Sequence, residues 1–327
     1  MDKQRVVYWN GAFIPESEAK VSIYDSSQMF GDTIFEMLRS FNGVLFELDK
    51  HLDRLYAGIK ILRIPIKMTK EEMVVAILDT VAKNRETGLF NADDEDRVMI
   101  NVTRGLLGIY EDVVGVPKGP NVIIADFPLR WTVASMGPLF DTGINAVIPS
   151  QRAIPARLLD PKIKNRSRLH YLMANIEVGQ VKGDNNWALL CDEDGFIAEG
   201  TGDNFFIVKD GVVITPEGRN ILRGISRDYI KQVCSSGRFC EYVEKNIEPY
   251  DVYTADEAFM TGTPFCMLPV TSLNGIPIGS GDVKRYSTYE KLLWYWSRKV
   301  GVDIRKQIKD YGKYSKDSLV TPYSFKR

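Results

Sequence analysis

The sequence predicts a mixed α/β (α+β) protein of two domains, a small α+β domain followed by a larger β-rich one. Three observations support this. Strand-like and helix-like hydrophobic patterns alternate through residues 1–126. The pattern weakens over residues 127–141, where Pro128, Gly137 and Pro138 punctuate it as an interdomain linker would. From residue 142 to 327, short apolar runs separated by turn dipeptides dominate, and these form the larger domain. A chain of 327 residues has room for both.

In chain order, Val6-Val7-Tyr8-Trp9 is β-branched and aromatic, and Asn10-Gly11 behind it is a hairpin turn signal. Asn42-Gly43 repeats that signal between Ser40-Phe41 and Val44-Leu45. Residues 51–62 carry Leu52, Leu55, Ile59 and Leu62 at helical spacing. A second helix over 69–83 opens on Thr69, with Glu72 three residues later as a capping box requires. Residues 98–102 and 122–125 read as buried strands. In the larger domain, 188–191, 205–208 and 212–214 read as strands, with Asp194-Gly195 and Asp210-Gly211 as turns. Residues 168–181 and 226–235 read as helices, and the tail after Tyr311 as a polar, basic surface extension.

Composition narrows the function. Lys plus Arg (42) and Asp plus Glu (43) leave a net charge of −1, which gives no electrostatic reason to hold nucleic acid or an anionic membrane. Hydrophobic residues at 44% are enough for a sizeable core. No apolar run approaches the ~18–20 residues of a membrane span, and the N-terminus lacks the apolar segment of a signal peptide. Cys191, Cys234, Cys240 and Cys266 show no CxxC spacing, so they read as reduced thiols of a cytoplasmic chain with no metal site. No GxSxG elbow, GxxxxGK[ST] loop or GxGxxG after a strand is present. With two histidines, acid–base chemistry falls to Lys, Asp, Glu or Tyr.

Four segments can carry chemistry. Lys162-Ile163-Lys164-Asn165-Arg166-Ser167-Arg168 leads into a helix. Nearby positive charge disfavours the ammonium form of Lys164, as a Schiff-base lysine needs; the bland alternative is a solvated basic face. Ala198-Glu199-Gly200-Thr201-Gly202-Asp203-Asn204 ends an apolar strand on one carboxylate, and small residues behind it allow close approach. The alternative is an ordinary hairpin end, with Gly200-Thr201-Gly202 a strand-entry turn. Leu222-Arg223-Gly224-Ile225-Ser226-Arg227-Asp228 puts small residues at a helix N-terminus, where N–H groups and the helix dipole favour phosphate. The alternative is Ser226 as a plain N-cap. Met260-Thr261-Gly262-Thr263-Pro264 offers hydroxyls and N–H groups to an anion, or is simply a turn.

Glu199 follows Lys164 by 35 residues, with Phe30-Gly31-Asp32-Thr33-Ile34-Phe35-Glu36 and His51-Leu52-Asp53-Arg54-Leu55 upstream. In this order the chain resembles, from about Val6 to Trp296, the fold-type IV (class IV) pyridoxal-phosphate-dependent aminotransferases. That group holds the branched-chain, D-amino-acid and (R)-amine transaminases. The resemblance implies the two-domain class IV fold with the catalytic lysine in the larger domain, pyridoxal 5'-phosphate as cofactor, and a homodimer. It implies ping-pong transfer from an amino donor to a 2-oxo acid. Lys164 would bind the cofactor as a Schiff base and shuttle the proton. Glu199 would hold the pyridine nitrogen protonated, and Arg54 would clamp the phosphate. Gly224, Ile225, Ser226 and Thr263 would complete the phosphate cup. Without the resemblance, Arg54 is a helix-surface residue paired with Asp53 or Asp49.

Substrate recognition departs from the patterns of that group. After Thr103-Arg104-Gly105, Ile109 and Glu111 stand where D-amino-acid enzymes place an Arg-x-His carboxylate trap, and Phe35 stands for their tyrosine. The branched-chain Gly-Thr-Ala turn reads Gly262-Thr263-Pro264 here, and proline removes a donor. The branched-chain tyrosine five residues after the lysine is Leu169, with Tyr171 close by. (R)-amine transaminases carry an arginine in the loop after the Thr-Arg-Gly turn, and none stands between Leu106 and Val116. Arg166 and Arg168 are candidates for the missing carboxylate charge, or else they hold neighbouring loops. Phe30, Phe35, Leu106, Leu107 and Ile109 suit a hydrophobic, branched-chain-like donor. The rivals are a D-amino-acid or (R)-amine transaminase, an aminodeoxychorismate-lyase-like enzyme, and a cofactor-free binding protein.

Overall fold

The computed structural model describes residues 3–237 and 240–315, so most of the basic tail lies outside the described residues. The chain divides into two compact units, Met1–Leu129 with Ile163–Arg168, and Arg130–Lys162 with Leu169–Arg327.

The first unit is a sheet with helices packed on it. Strands β1 (Val6–Trp9) and β2 (Ala12–Pro15) pair across Asn10-Gly11, both in the left-handed region at φ 49° and 96°. Helix α1 (Ser26–Phe30) starts where the Asp25 carboxylate accepts the Ser27 N–H, and ends at Gly31 with φ 66°. Strands β3 (Ile34–Phe41) and β4 (Val44–Leu45) turn through Asn42-Gly43, again both at positive φ. Helices α2 (Leu48–Ile61) and α3 (Lys70–Glu86) follow, then β5 (Asp96–Thr103) and β6 (Asn121–Pro128). The strand order is β2-β1-β6-β5-β3-β4, with every pairing antiparallel. One sheet face buries Ile34, Leu38, Val98, Ile100 and Ile124 against Leu52, Leu55, Ile59, Met73 and Ile77 of the helices. Each such side chain contributes about 1.5–3 kcal/mol on burial.

The stretch read as the interdomain linker, residues 127–141, carries the end of β6 in the first unit and the short helices α4 (Arg130–Val133) and α5 (Leu139–Thr142) in the second. Buried Val133, Leu139 and Phe140 give it a core face of its own. The strands are β7 (Ile144–Val147), β8 (Asn186–Cys191), β9 (Ile197–Gly200), β10 (Asn204–Lys209), β11 (Val212–Thr215), β12 (Glu241–Glu244), β13 (Glu257–Gly262), β14 (Cys266–Leu273) and β15 (Ile276–Pro277). The path β10-β13-β14-β7-β8-β9 returns to β10 through the pair Asn204↔Glu199, so the sheet closes into a barrel. Helices α6 (Leu169–Val178), α7 (Ile225–Gly237), α8 (Pro249–Tyr253), α9 (Ser287–Val300) and α10 (Ile304–Asp310) complete the unit. The predicted 168–181 helix is thus shorter, and α8, α9 and α10 are additions to the expected pair.

Residues 163–168, expected with the larger domain, pack within the first unit. The cause is main-chain pairing. The Phe35 N–H donates to the Lys164 carbonyl, the Arg166 N–H donates to the Thr33 carbonyl (each 3.0 Å), and Ile34 bridges Asn165.

Candidate active site

In the first unit, Lys164 is held as a short extra strand beside the start of β3. Asn165 locks the bend that follows: its side-chain oxygen accepts the Ser167 N–H and its amide donates to the Ile163 carbonyl, both at 2.9 Å. Ser167 sits so close to Gly31 that a Cβ there would lie 2.8 Å from its Oγ, so that glycine is set by close approach as well as by φ. The buried Phe35 ring gathers three cations. The Arg166 guanidinium lies 3.7 Å from its centroid, Lys164 Nζ 4.8 Å and the Arg168 guanidinium 5.6 Å. Arg166 is further tethered by Asn101 Oδ1, which accepts from it at 3.0 Å.

Asp53, one of the two acids next to Arg54 in sequence, pairs with Lys70. Arg54 forks onto Glu36 of β3, with Nε donating to Oε1 at 2.6 Å and a terminal nitrogen donating to Oε2 at 2.9 Å. His51 Nδ1 contacts the same Oε2 at 2.7 Å, and Glu36 is fully buried. Burial pushes the Glu36 carboxyl up, but Arg54 and His51 more than reverse this and hold it well below the usual carboxylate range. Burial lowers the His51 pKa, against Glu36, so near neutral pH the imidazole is uncharged and Arg54 is the countercharge.

The proposed apolar lining is uneven. Phe35 is buried and Leu107 half-buried, whereas Phe30 and Ile109 are 68% and 80% exposed. Arg104 of the Thr-Arg-Gly turn donates to the carbonyls of Leu62 and Arg63, and Glu111 is exposed.

In the second unit, Glu199 is the last residue but one of β9, at 4% exposure. Three donors converge on it: Tyr171 Oη at 2.9 Å, Asn204 Nδ2 at 3.1 Å and the Leu222 N–H at 3.0 Å. A buried carboxylate with neutral donors suits a cationic partner such as a protonated ring nitrogen. Asn204 also donates to the Leu222 carbonyl, joining β10 to the segment that leads into α7. A Cβ on Gly224 would come 2.1 Å from Asn204 Oδ1. Ile225 and Ser226 open α7 and are buried; Ser226 stands inside the first turn, two residues past the N-cap position. Gly200-Thr201-Gly202 is a turn, in which the Gly200 N–H donates to the Asp203 carbonyl. Thr263 and Pro264 follow β13 half-buried, while the Thr261 hydroxyl is buried with no hydrogen-bond partner among the described residues. The buried acceptor at Glu199, the glycine-bounded start of α7 and the unpartnered Thr261 hydroxyl fit a phosphorylated pyridine. Sequence reasoning did not single out Glu36 and His51, and it placed Tyr171 and Thr261 only as neighbours of the expected positions. The first two stand inside quoted motifs, but nothing local marks them as partners.

Among the described residues no group of three or more His, Cys, Asp or Glu is placed to hold a metal ion. No described helix is long and apolar enough to cross a membrane.

A model of the amino-transferase class IV family matches residues 33–273. A Methanocaldococcus jannaschii protein, provisionally named a branched-chain-amino-acid aminotransferase, is 37% identical over 85% of this chain and 91% of its own. The D-alanine aminotransferase of Bacillus licheniformis is 30% identical over 84% of this chain and 90% of that one. The crystal structure of the branched-chain amino acid aminotransferase from Thermobaculum terrenum, in its PLP form, matches with a TM-score of 0.77 at 26% identity. That match covers 95% of this chain and 98% of the other.

Proposed function

The chain belongs to the class IV aminotransferase family, whose members transfer amino groups with pyridoxal 5'-phosphate, and from that premise we propose that this transaminase prefers a hydrophobic, branched-chain-like amino acid as donor. A 2-oxo acid takes the amino group in the second half of a ping-pong cycle. When bound, the cofactor supplies an electron-withdrawing ring that takes up the electron pair left at the substrate α-carbon.

In this reading Lys164 holds the cofactor through its ε-amino group and moves the proton to and from the substrate α-carbon. That amino group lies half-buried near the Phe35 ring, which the Arg166 and Arg168 guanidinium groups share. Glu199 keeps a proton on the ring nitrogen, and its three donors fix the carboxylate for that task. Arg54, oriented by Glu36, binds the phosphate, with the N–H groups at Gly224, Ile225 and Ser226 and the Thr263 hydroxyl completing the set. Arg166 and Arg168 bind the substrate carboxylate, in place of the Arg-x-His trap that Ile109 and Glu111 cannot form. Phe30, Phe35, Leu107 and Ile109, with the Thr263-Pro264 turn, face the donor side chain.

The observation that carries the reading is the convergence of three donors on Glu199, a buried carboxylate of the second unit. A homodimer belongs to the same proposal. Ile23, Phe30, Ile109 and Val114 are 74%, 68%, 80% and 95% exposed, apolar side chains of the first unit that a second copy would cover. A cytoplasmic location accords with four free cysteines.

The test is a half-reaction panel of L-amino acids, D-amino acids and (R)-amines, read by loss of the aldehyde-form absorbance. Hydrophobic L-amino acids should react fastest; a preference for D-amino acids, (R)-amines or acidic donors would replace this substrate assignment. Amino donor added without a 2-oxo acid separates a transferase from a pyruvate-releasing lyase. Lys164→Ala should abolish the bound-cofactor band, and Glu199→Gln should retain cofactor yet slow the half-reaction by orders of magnitude.

A further inference from the structure

We propose that Cys234 and Cys240 form a reversible disulfide site, a dithiol that exchanges with small-molecule disulfides and, when oxidised, ties the last turn of α7 to the entry of β12. Their sulfurs stand 2.9 Å apart with no bond between them. Closing a disulfide to its length of about 2.0 Å therefore takes a shift of roughly one ångström. Six positions separate them in sequence, a spacing that matches no thiol motif. Proximity arises because α7 packs along β12: Arg227 pairs with Glu244 at 2.8 Å and Lys231 with the same carboxylate at 3.2 Å. β12 is an edge strand whose strand partner is β11, in parallel.

The two thiols are unequal in a way that suits exchange. Cys234 is buried within α7, and its contact with Cys240 together with burial raises its pKa. Cys240 is half-buried, and the contact with Cys234, with Lys291 adding to it, lowers its pKa. The reachable sulfur is thus the one with more thiolate character. Cys240 thiolate attacks one sulfur of a small disulfide, breaking that bond and releasing one thiolate. Cys234 then gives up its proton and attacks Cys240 Sγ, releasing the second thiolate. Two protein thiols are oxidised, and one small disulfide is reduced to two thiols. Cys191 and Cys266 are both buried within strands, so they serve as internal controls.

The full-length holoenzyme is incubated with oxidised glutathione, alkylated under native conditions, digested and analysed by mass spectrometry. The expected product has lost two hydrogens, contains a peptide linking Cys234 to Cys240, leaves Cys191 and Cys266 as thiols, and melts at higher temperature than the reduced enzyme. Cys234→Ser should stop at one glutathione on Cys240, and dithiothreitol should reverse both products. Four unreacted thiols in the wild type, or a glutathione held on Cys240 without closure, would overturn the proposal. Neither outcome depends on the assigned substrate or on transamination.

Discussion

A guanidinium binds phosphate well when its fork is held in one plane, and at Arg54 that plane is set by Glu36. Removing one partner of a buried pair of this kind costs about 3–5 kcal/mol, because the other charge is left without compensation. Glu36→Gln should therefore lower stability and weaken cofactor retention together, measured by urea melts and by dialysis against cofactor-free buffer. The pH dependence has a definite sign. Glu36 is depressed in the folded chain, so its contribution is present above the ordinary carboxylate pKa of about 4.3 and is lost as pH falls below it. Urea melts between pH 7 and pH 3 should show an acid-side loss in the wild type that is smaller in Glu36→Gln. Equal slopes would remove Glu36 from the account. This pairing is also where sequence reading stopped short. Arg54 is recognisable from its motif, but its nearest acids in sequence are Asp53 and Asp49. Adjacent residues on a helix point apart, and the true partner comes from a strand 18 positions earlier.

At the scale of elements, the start of α3 was legible because a side-chain cap fixes it, whereas α2 starts on main-chain geometry alone. Thr69 and Glu72 exchange both capping-box hydrogen bonds, and α3 begins where the sequence says. α2 begins earlier than its apolar pattern because Glu47 takes φ 52° with no side-chain cap. Thr69→Ala should cost about 1 kcal/mol in a urea melt without changing the half-reaction rate. The barrel strands β13 and β14 are nearly continuous buried runs, which periodicity alone cannot separate from buried helix. Pro269 argues against a central strand, yet β14 pairs with β7 only from Val270 onward, so the missing N–H removes no rung on that side. α9 did carry a signal, with Tyr289, Leu292, Leu293 and Trp296 at helical spacing and all buried. The partnership of residues 163–168 with β3 had none, because it joins segments about 130 positions apart. The sharpest prediction on this scale concerns the junction of β10 and α7. Gly224→Ala drives a methyl into Asn204 Oδ1, and Asn204 also donates to Glu199. The variant should lose half-reaction rate far beyond its loss of stability; rate and stability falling in proportion would mean the junction is merely structural.

For the molecule as a whole, stability against pH is shaped by a second buried carboxylate of opposite sense. Asp126 lies inside β6, and burial, with the charge of Asp96 adding to it, pushes its pKa up to about 9 against the pull of Arg85 and Arg5. An unfolded aspartate titrates near 3.9. Between about pH 4 and pH 9, then, the folded chain holds one proton more than the unfolded chain, and stability falls as pH rises through that window. The contribution is complete below about pH 4 and gone above the folded value. Glu36 works the other way, its contribution being lost as pH falls. Asp126→Asn keeps the shape of the protonated acid and removes its titration. Its stability relative to the wild type should rise by several kcal/mol, on the order of 5, between pH 4.5 and pH 8.5, because only the wild type gives up a proton on unfolding in that window. Denaturant melts at those two pH values decide the matter. A variant that is less stable at both would show that Asp126 is ionised in the folded protein and that its carboxylate is needed by Arg85.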